Sequence, residues 1–333
     1  MNANRKMLRS RLLAIALGLM VLVALWGLPV KAQRKAIMQL EWTPNTNHTG
    51  IYVALDKGWY AEEGVDLEIV TPGSDTNVLA LVAAGRAHFG VSVQEYTTSA
   101  RTEGFPVVSV AAIVQHNTSG FASIGRGIKT AADFEGKRYG GWMLPLERAI
   151  LGSMMARDGA DVDKVQFVSI PGSIDLITLL TRDIDFTWIY YGWQGIEAQL
   201  RGVELDIVMM NDYFDAVPDY YTPILVTSES LIETDPDLVG AVVRATARGY
   251  TYAAQNPEEA AEILLKYAPE NDPALVRASQ KWLSPRYIDD APYFGHQRLE
   301  VWQAFGDWMY SNGLIQEPFD AQAAFTNEFL PKD

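Results

Sequence analysis

Residues 40–70 read LEWTPNTNHTGIYVALDKGWYAEEGVDLEIV, and the punctuation of this stretch decides the fold. Ala36 to Glu41 predicts a short strand that breaks at Thr43-Pro44-Asn45, where proline fixes φ and removes a donor. A polar run follows, Asn45, Thr46, Asn47, His48 and Thr49, closed by Gly50. From about Ile51 the spacing of Tyr52, Leu55 and Trp59 predicts an amphipathic helix, and Val65 to Val70 alternates as a second strand. Strand, polar loop, helix and strand open a βαβ unit, with the loop at the carboxyl end of the first strand. Ligands of open α/β sheets sit at that edge. A polar loop there is suited to reading hydrogen-bonding atoms.

The same grammar continues outward. Ala87 to Val93 reads as a buried strand ending in the loop Gln94-Glu95-Tyr96-Thr97-Thr98, with a helix from Ser99 and another strand over Val107 to Gln115. His116 to Gly120 marks a crossing into new material. There Arg138 to Gly141 predicts a strand ending in the loop Trp142 to Glu147, followed by a helix from Arg148. Val165 to Ile170 is a strand, broken by Pro171-Gly172-Ser173, which caps the next helix. Asp185 to Tyr190 is a buried strand, with a helix opening at Tyr191-Gly192-Trp193. Tyr220-Tyr221-Thr222-Pro223 marks a return crossing into Ile224 to Thr227, and from Asp235-Pro236 the pattern is helical. Two βαβ runs with two crossings predict two α/β lobes around a cleft. Lobe one takes 36–117 plus 223–333, and lobe two 118–222.

Composition sets the outer limits. With 48% hydrophobic and 20% charged residues the chain is globular, and without cysteine it has no disulfide, thiolate site or cysteine nucleophile. Arg5, Lys6, Arg9 and Arg11 precede the apolar run Leu12 to Leu28, and Val30-Lys31-Ala32 offers a small-residue cut. This is the pattern of a secretory signal over residues 1–32, with an uncleaved membrane anchor as the rival. Either way the remainder is exported, to the periplasm or the outer face of the cell membrane. The net charge of −14 argues against nucleic acid as a partner.

Four strand ends carry aromatic residues: Trp42, Tyr96, Trp142, and the group Trp188, Tyr190, Tyr191 and Trp193. Rings from both lobes would sandwich a flat conjugated ligand. Asn45, Asn47, Gln94, Glu95 and Glu197 supply edge contacts, and His48 a loop hydrogen bond. For any single ring here, Trp188 and Trp193 included, packing in the core is the competing reading. The other histidines, His88, His116 and His296, share no i,i+4 spacing, so a metal site is not expected, and His48 as a loop hydrogen-bonder needs no catalytic role. Basic residues are absent from the loop tips, which disfavours sulfonates and phosphates.

The run WTPNTNHTG, followed by a helix, KGWY and EEGVDLEIV, resembles the periplasmic binding proteins of ABC importers related to ThiY, SsuA and TauA. The same run occurs in the fungal thiamin pyrimidine synthase, which shares their fold. The resemblance covers nearly the whole chain after residue 35. It implies the two-lobed type II periplasmic-binding-protein fold, no cofactor, a monomer by default, and capture by closure of the lobes for a permease and ATPase. WTPNTNHTG points to the branch handling vitamins and their precursors, as in the similar RibY and ThiY proteins. The number of rings near Trp142 and Trp188 to Trp193 favours riboflavin, with a formylaminopyrimidine as the alternative. A sulfonate or taurine-type ligand stands behind both. The fungal enzyme consumes the histidine of this motif and needs a cysteine-rich segment and iron. This chain has no cysteine, so that chemistry is not expected. A tethered sensor domain is a poorer reading, because only about ten residues precede the apolar run.

Overall fold

The computed structural model describes residues 33–73, 75–170 and 175–332, so the expected signal or anchor and the break at Pro171-Gly172-Ser173 lie outside the described residues. The chain from Arg34 onward forms one compact unit. Ten strands run in order as β1 (Arg34–Gln39), β2 (Val65–Val70), β3 (Phe89–Ser92), β4 (Val107–Ala112), β5 (Ser119–Ser123), β6 (Arg138–Gly141), β7 (Gln166–Ser169), β8 (Phe186–Tyr190), β9 (Asp206–Met209) and β10 (Ile224–Ser228). They form two five-stranded sheets, ordered β2-β1-β3-β10-β4 and β7-β6-β8-β5-β9.

Each sheet follows one plan. β1 runs parallel to β2 and β3, as β6 does to β7 and β8. The first strand after each crossing then enters antiparallel: β10 between β3 and β4, β5 between β8 and β9. The crossings are 113–118 and 210–223, and they meet where the Ile113 amide donates to the Pro223 carbonyl (3.0 Å).

Local sequence explains the elements that place the site. In β2, Val65 and Leu67 are buried while Asp66 and Glu68 are exposed, the alternation of a half-covered strand. The helix Thr49–Asp56 packs against the long helix Pro236–Gln255 at a contact only glycine permits. A Cβ on Gly249 would stand 2.0 Å from the Gly50 carbonyl oxygen, and one on Gly50 would stand 2.2 Å from Cγ of Tyr250. The edge strand β4 is not left open, because Phe325 bridges to Ser109 and Gly295 to Ala112. Among the described residues no helix is long and apolar enough to cross a membrane.

Candidate functional site

The polar loop after β1 turns most of its polar groups inward. Asn45 caps the 3₁₀ turn Thr46–His48, its Oδ1 accepting from the Asn47 amide (2.8 Å). The Asn45 amide donates to His48 Nδ1 (3.1 Å), so the ring's proton belongs on Nε2, 2.9 Å from Glu41 Oε2. His48 is fully buried. Thr46 meets Ser279 (2.6 Å), Thr49 donates to Gln280 (2.6 Å), Tyr287 donates to the Thr46 carbonyl (2.6 Å) and Tyr250 to that of Asn47 (2.5 Å). These bonds clamp the loop to the helix Pro273–Leu283 and its neighbours. The side chain this clamp presents outward is Trp42, 57% exposed.

After β3 the helix begins at Gln94 rather than Ser99, so Gln94, Glu95 and Tyr96 form its first turn instead of a loop. Gln94 is buried, and its Oε1 accepts from the Tyr221 amide (2.8 Å) of the return crossing. Glu95 is also buried, and its Oε2 has no hydrogen-bond partner. Burial pushes its pKa up to about 8, so at neutral pH it is a carboxylic acid. Tyr96 is half exposed, and burial followed by the charges of Glu95 and Glu147 raises its pKa to about 12. Glu147 belongs to the other sheet's loop, so the two strand ends converge here.

The loop after β6 is held from below by that acid. Glu147 accepts from Tyr139 OH (2.9 Å) and the amides of Trp142 (3.1 Å) and Leu144 (2.9 Å), and Pro145 opens the helix Pro145–Arg157. Met143 takes φ 65° at the apex. Trp142, Met143 and Leu144 are left exposed at 54, 49 and 37%. Like Trp42 and Tyr96 they are apolar side chains left exposed at strand ends, one set from each sheet.

The aromatic group on and after β8 divides. Tyr190 is half-buried, and its phenol is pushed up by burial and then by the nearby charges of Glu95, Tyr96 and Glu41. It therefore stands beside the residues of the first sheet. Trp188 packs edge-on against Phe121 (5.6 Å between centroids) in the core, with its Nε1 buried and unpartnered. The chain beyond Tyr190 forms a π-helical turn, Tyr191–Gly195, before the helix Ile196–Leu200. That turn sends Tyr191 against Trp282 (5.1 Å between centroids) and packs the half-buried Trp193 against the apolar core of the first-sheet half. Glu197 pairs with Arg201 (3.4 Å), which also meets Asp175, in a surface ion cluster. Tyr191, Trp193 and Glu197 thus do not join Trp42, Glu95, Tyr96, Trp142 and Tyr190.

The crossings contribute residues that the sequence did not mark. Tyr220 is buried with an unpartnered hydroxyl, and the charges of Glu95 and Tyr190 act on it after burial itself. Tyr220-Tyr221-Thr222-Pro223 marks a return crossing in the sequence, but nothing in it signals proximity to Glu95. Beside it His116 bridges Asp219 (2.5 Å) and Asp290 (3.1 Å), and Asp219 also accepts the Asn117 amide (2.9 Å). The Asp219 hydrogen bond leads in raising the His116 pKa to about 9, so this ring is charged at neutral pH. No group of three or more metal-binding side chains occurs among the described residues.

Two sheets joined by two crossings, with facing strand ends, define a two-lobed protein of the periplasmic-binding-protein fold. The aliphatic-sulphonate binding protein SsuA of Escherichia coli superimposes with a TM-score of 0.67, at 16% identity over 87% of this chain and 91% of that one. Residues 45–260 match the family model described as NMT1/THI5 like, and the chain belongs to that family. It is similar to the formylaminopyrimidine-binding protein of Halalkalibacterium halodurans, 28% identical over 87% of this chain and 89% of that one. It is also similar to the riboflavin-binding protein RibY of Chloroflexus aurantiacus, 27% identical over 90% and 86%. A 4-amino-5-hydroxymethyl-2-methylpyrimidine phosphate synthase of Legionella pneumophila is 26% identical over 89% and 92%.

Proposed function

We propose that this chain is the exported solute-binding subunit of an ABC importer, and that it captures a formylaminopyrimidine-type thiamin precursor. The observation that carries this reading is the buried Glu95 carboxyl, its Oε2 without a partner, beside Tyr96 and Tyr190, with Trp42 and Trp142 exposed at strand ends of the two sheets. A carboxylic acid offers one O–H donor and one carbonyl acceptor side by side. An aminopyrimidine edge offers the complement, a ring nitrogen that accepts and an amino group that donates. Trp42 and Trp142 stack on the ring, adding roughly 0.5–1.5 kcal/mol each beyond area burial. Contacts made from both sheets favour the closed arrangement by no more than the ligand's differential affinity for it. The permease then reads the closed shape, and the chain itself breaks no bond.

Riboflavin is the second reading. The exposed Met143 and Leu144 beside Trp142 extend the apolar floor beyond one small ring, and similarity to RibY agrees with it. The first reading is preferred because Tyr191 and Trp193, which favoured a three-ring ligand, are engaged elsewhere. Flavin fluorescence separates the two. On the first reading riboflavin is unquenched by the protein, or is quenched and then released by formylaminopyrimidine. Quenching that is saturable, lost in Tyr190→Ala and insensitive to the pyrimidine would establish riboflavin instead.

A further inference from the structure

A cavity of about 600 Å³ lies against the crossings. Its walls are Tyr191, Met209, Asn211 and Phe214 from the second-sheet half, Trp282, Arg286 and the acid Asp289 from the C-terminal segment, and the crossing residues 116–118. Trp42, Glu95, Tyr96 and Trp142 do not line it. The sheet order explains the separation. β6, which leads to Trp142, and β9, which leads to Met209, stand three strand spacings apart, about 14 Å at roughly 4.8 Å each.

The chemistry of this cavity differs from that of the cleft. The Arg286 guanidinium lies on the indole of Trp282, with Cζ 3.6 Å from the ring centre, and Tyr191 leans on the same indole. Arg286 Nη1 donates to the Trp282 carbonyl (2.5 Å). Among the described residues no carboxylate comes within ion-pair distance of this guanidinium, and Asp289 acts on it only through space. Burial is the main influence on Arg286 and pulls its pKa down, the mark of a cation short of a counter-ion. His116 does not supply further charge to the cavity, since both of its nitrogens face Asp219 and Asp290. Asn117 is buried, its Oδ1 held by the Ser119 amide (2.8 Å) and its side chain against the Tyr220 hydroxyl, so it is turned away from any ligand.

We propose that this cavity binds a planar aromatic anion of about mononucleotide size, its charge held by Arg286 and its ring by Trp282, Tyr191 and Phe214. A half-buried guanidinium with free donors is built for the paired oxygens of a phosphate or carboxylate. The aromatic walls favour a flat ring, and the exposed Asn211 gives it an edge contact. The volume falls in the range of small-molecule sites and exceeds what a lone inorganic anion fills.

The test is calorimetric titration of the purified full chain with adenosine 5′-monophosphate, and with adenosine and ribose 5-phosphate as its two halves. The nucleotide binds at one site, and each half binds at least roughly tenfold more weakly. Arg286→Met weakens the nucleotide by a similar factor, and Trp42→Ala leaves it unchanged. Asn211→Asp adds negative charge at an exposed position without touching the core, and it weakens binding too. The proposal is overturned if the nucleotide fails to bind at millimolar concentration or binds no better than adenosine. Indifference to both Arg286→Met and Asn211→Asp overturns it as well. So does loss of binding in Trp42→Ala, which would place the nucleotide in the ring-lined cleft.

Discussion

His48 Nε2 stands 2.9 Å from Glu41 Oε2, inside a loop whose own Asn45 amide occupies the other ring nitrogen. The ring is buried and spent at both ends. It braces Glu41 and the turn below Trp42, and that arrangement has no use for it as a reagent. His48→Gln should therefore act on stability, lowering it by about 1–3 kcal/mol through lost or strained buried hydrogen bonds. Denaturant melts of the two proteins measure this, and affinity should change less than it does for Trp42→Ala.

The exposed rings should behave in the opposite way. Trp42 and Trp142 are more than half exposed, so their removal costs the free protein little. Trp42→Ala and Trp142→Ala should each keep the wild-type melting temperature within a degree or two, and weaken ligand roughly tenfold from lost stacking and area. A melting temperature that collapses in either variant would show the ring to be structural.

Glu95 gives the free protein a pH signature. The folded acid keeps its proton up to about pH 8, whereas in the unfolded chain it ionises near the ordinary 4.5. Between those values the folded state binds more protons, so stability falls as pH rises from about 4.5 to about 8. Glu95→Gln should remove that fall below about pH 6.5, where His116 does not yet contribute. Melting curves of both proteins at about pH 4.5 and 6.5 check it.

His116 adds a separate loss at higher pH. Its pKa is raised from 6.5 to about 9 by Asp219 first, so the stabilisation it gives is full below about 6.5 and is lost through about 9. Asp219→Asn should flatten this upper part and leave the Glu95 window in place. Melts of that variant across the same pH range separate the two groups.

Where two backbones touch, the tolerance should be least. Gly249→Ala puts a methyl 2.0 Å from the Gly50 carbonyl oxygen, which cannot give way without moving the helix that follows the Trp42 loop. A loss of about 1–3 kcal/mol is expected, the usual cost of overpacking, and a denaturant melt would detect it. Affinity should fall with it.

Much of this was legible in the sequence. The alternation of Val65 to Val70 and the break at Thr43-Pro44-Asn45 gave the strand–loop–helix–strand opening, and the strand ends carrying Trp42, Tyr96 and Trp142 leave those rings exposed. What failed was direction. Periodicity says that Tyr191 and Trp193 follow a strand, but a π-helical turn decides where they point, and that turn leaves no pattern of its own. The polar loop misled for a related reason. Thr46 and Thr49 find their partners on the helix Pro273–Leu283, more than 200 residues away, and His48, which looks like a ligand contact, is spent on the Asn45 amide and Glu41. The antiparallel entry of β5 and β10 was equally invisible, since strand direction is set by the crossings and not by the strands.

The most direct test of the account is the heat of binding of formylaminopyrimidine to the wild-type chain and to Glu95→Gln at neutral pH. The account predicts one site of micromolar or tighter affinity in the wild type, weakened at least roughly tenfold in Glu95→Gln because an amide cannot match the donor of the acid. Equal binding by both proteins, or no heat with either, would contradict it.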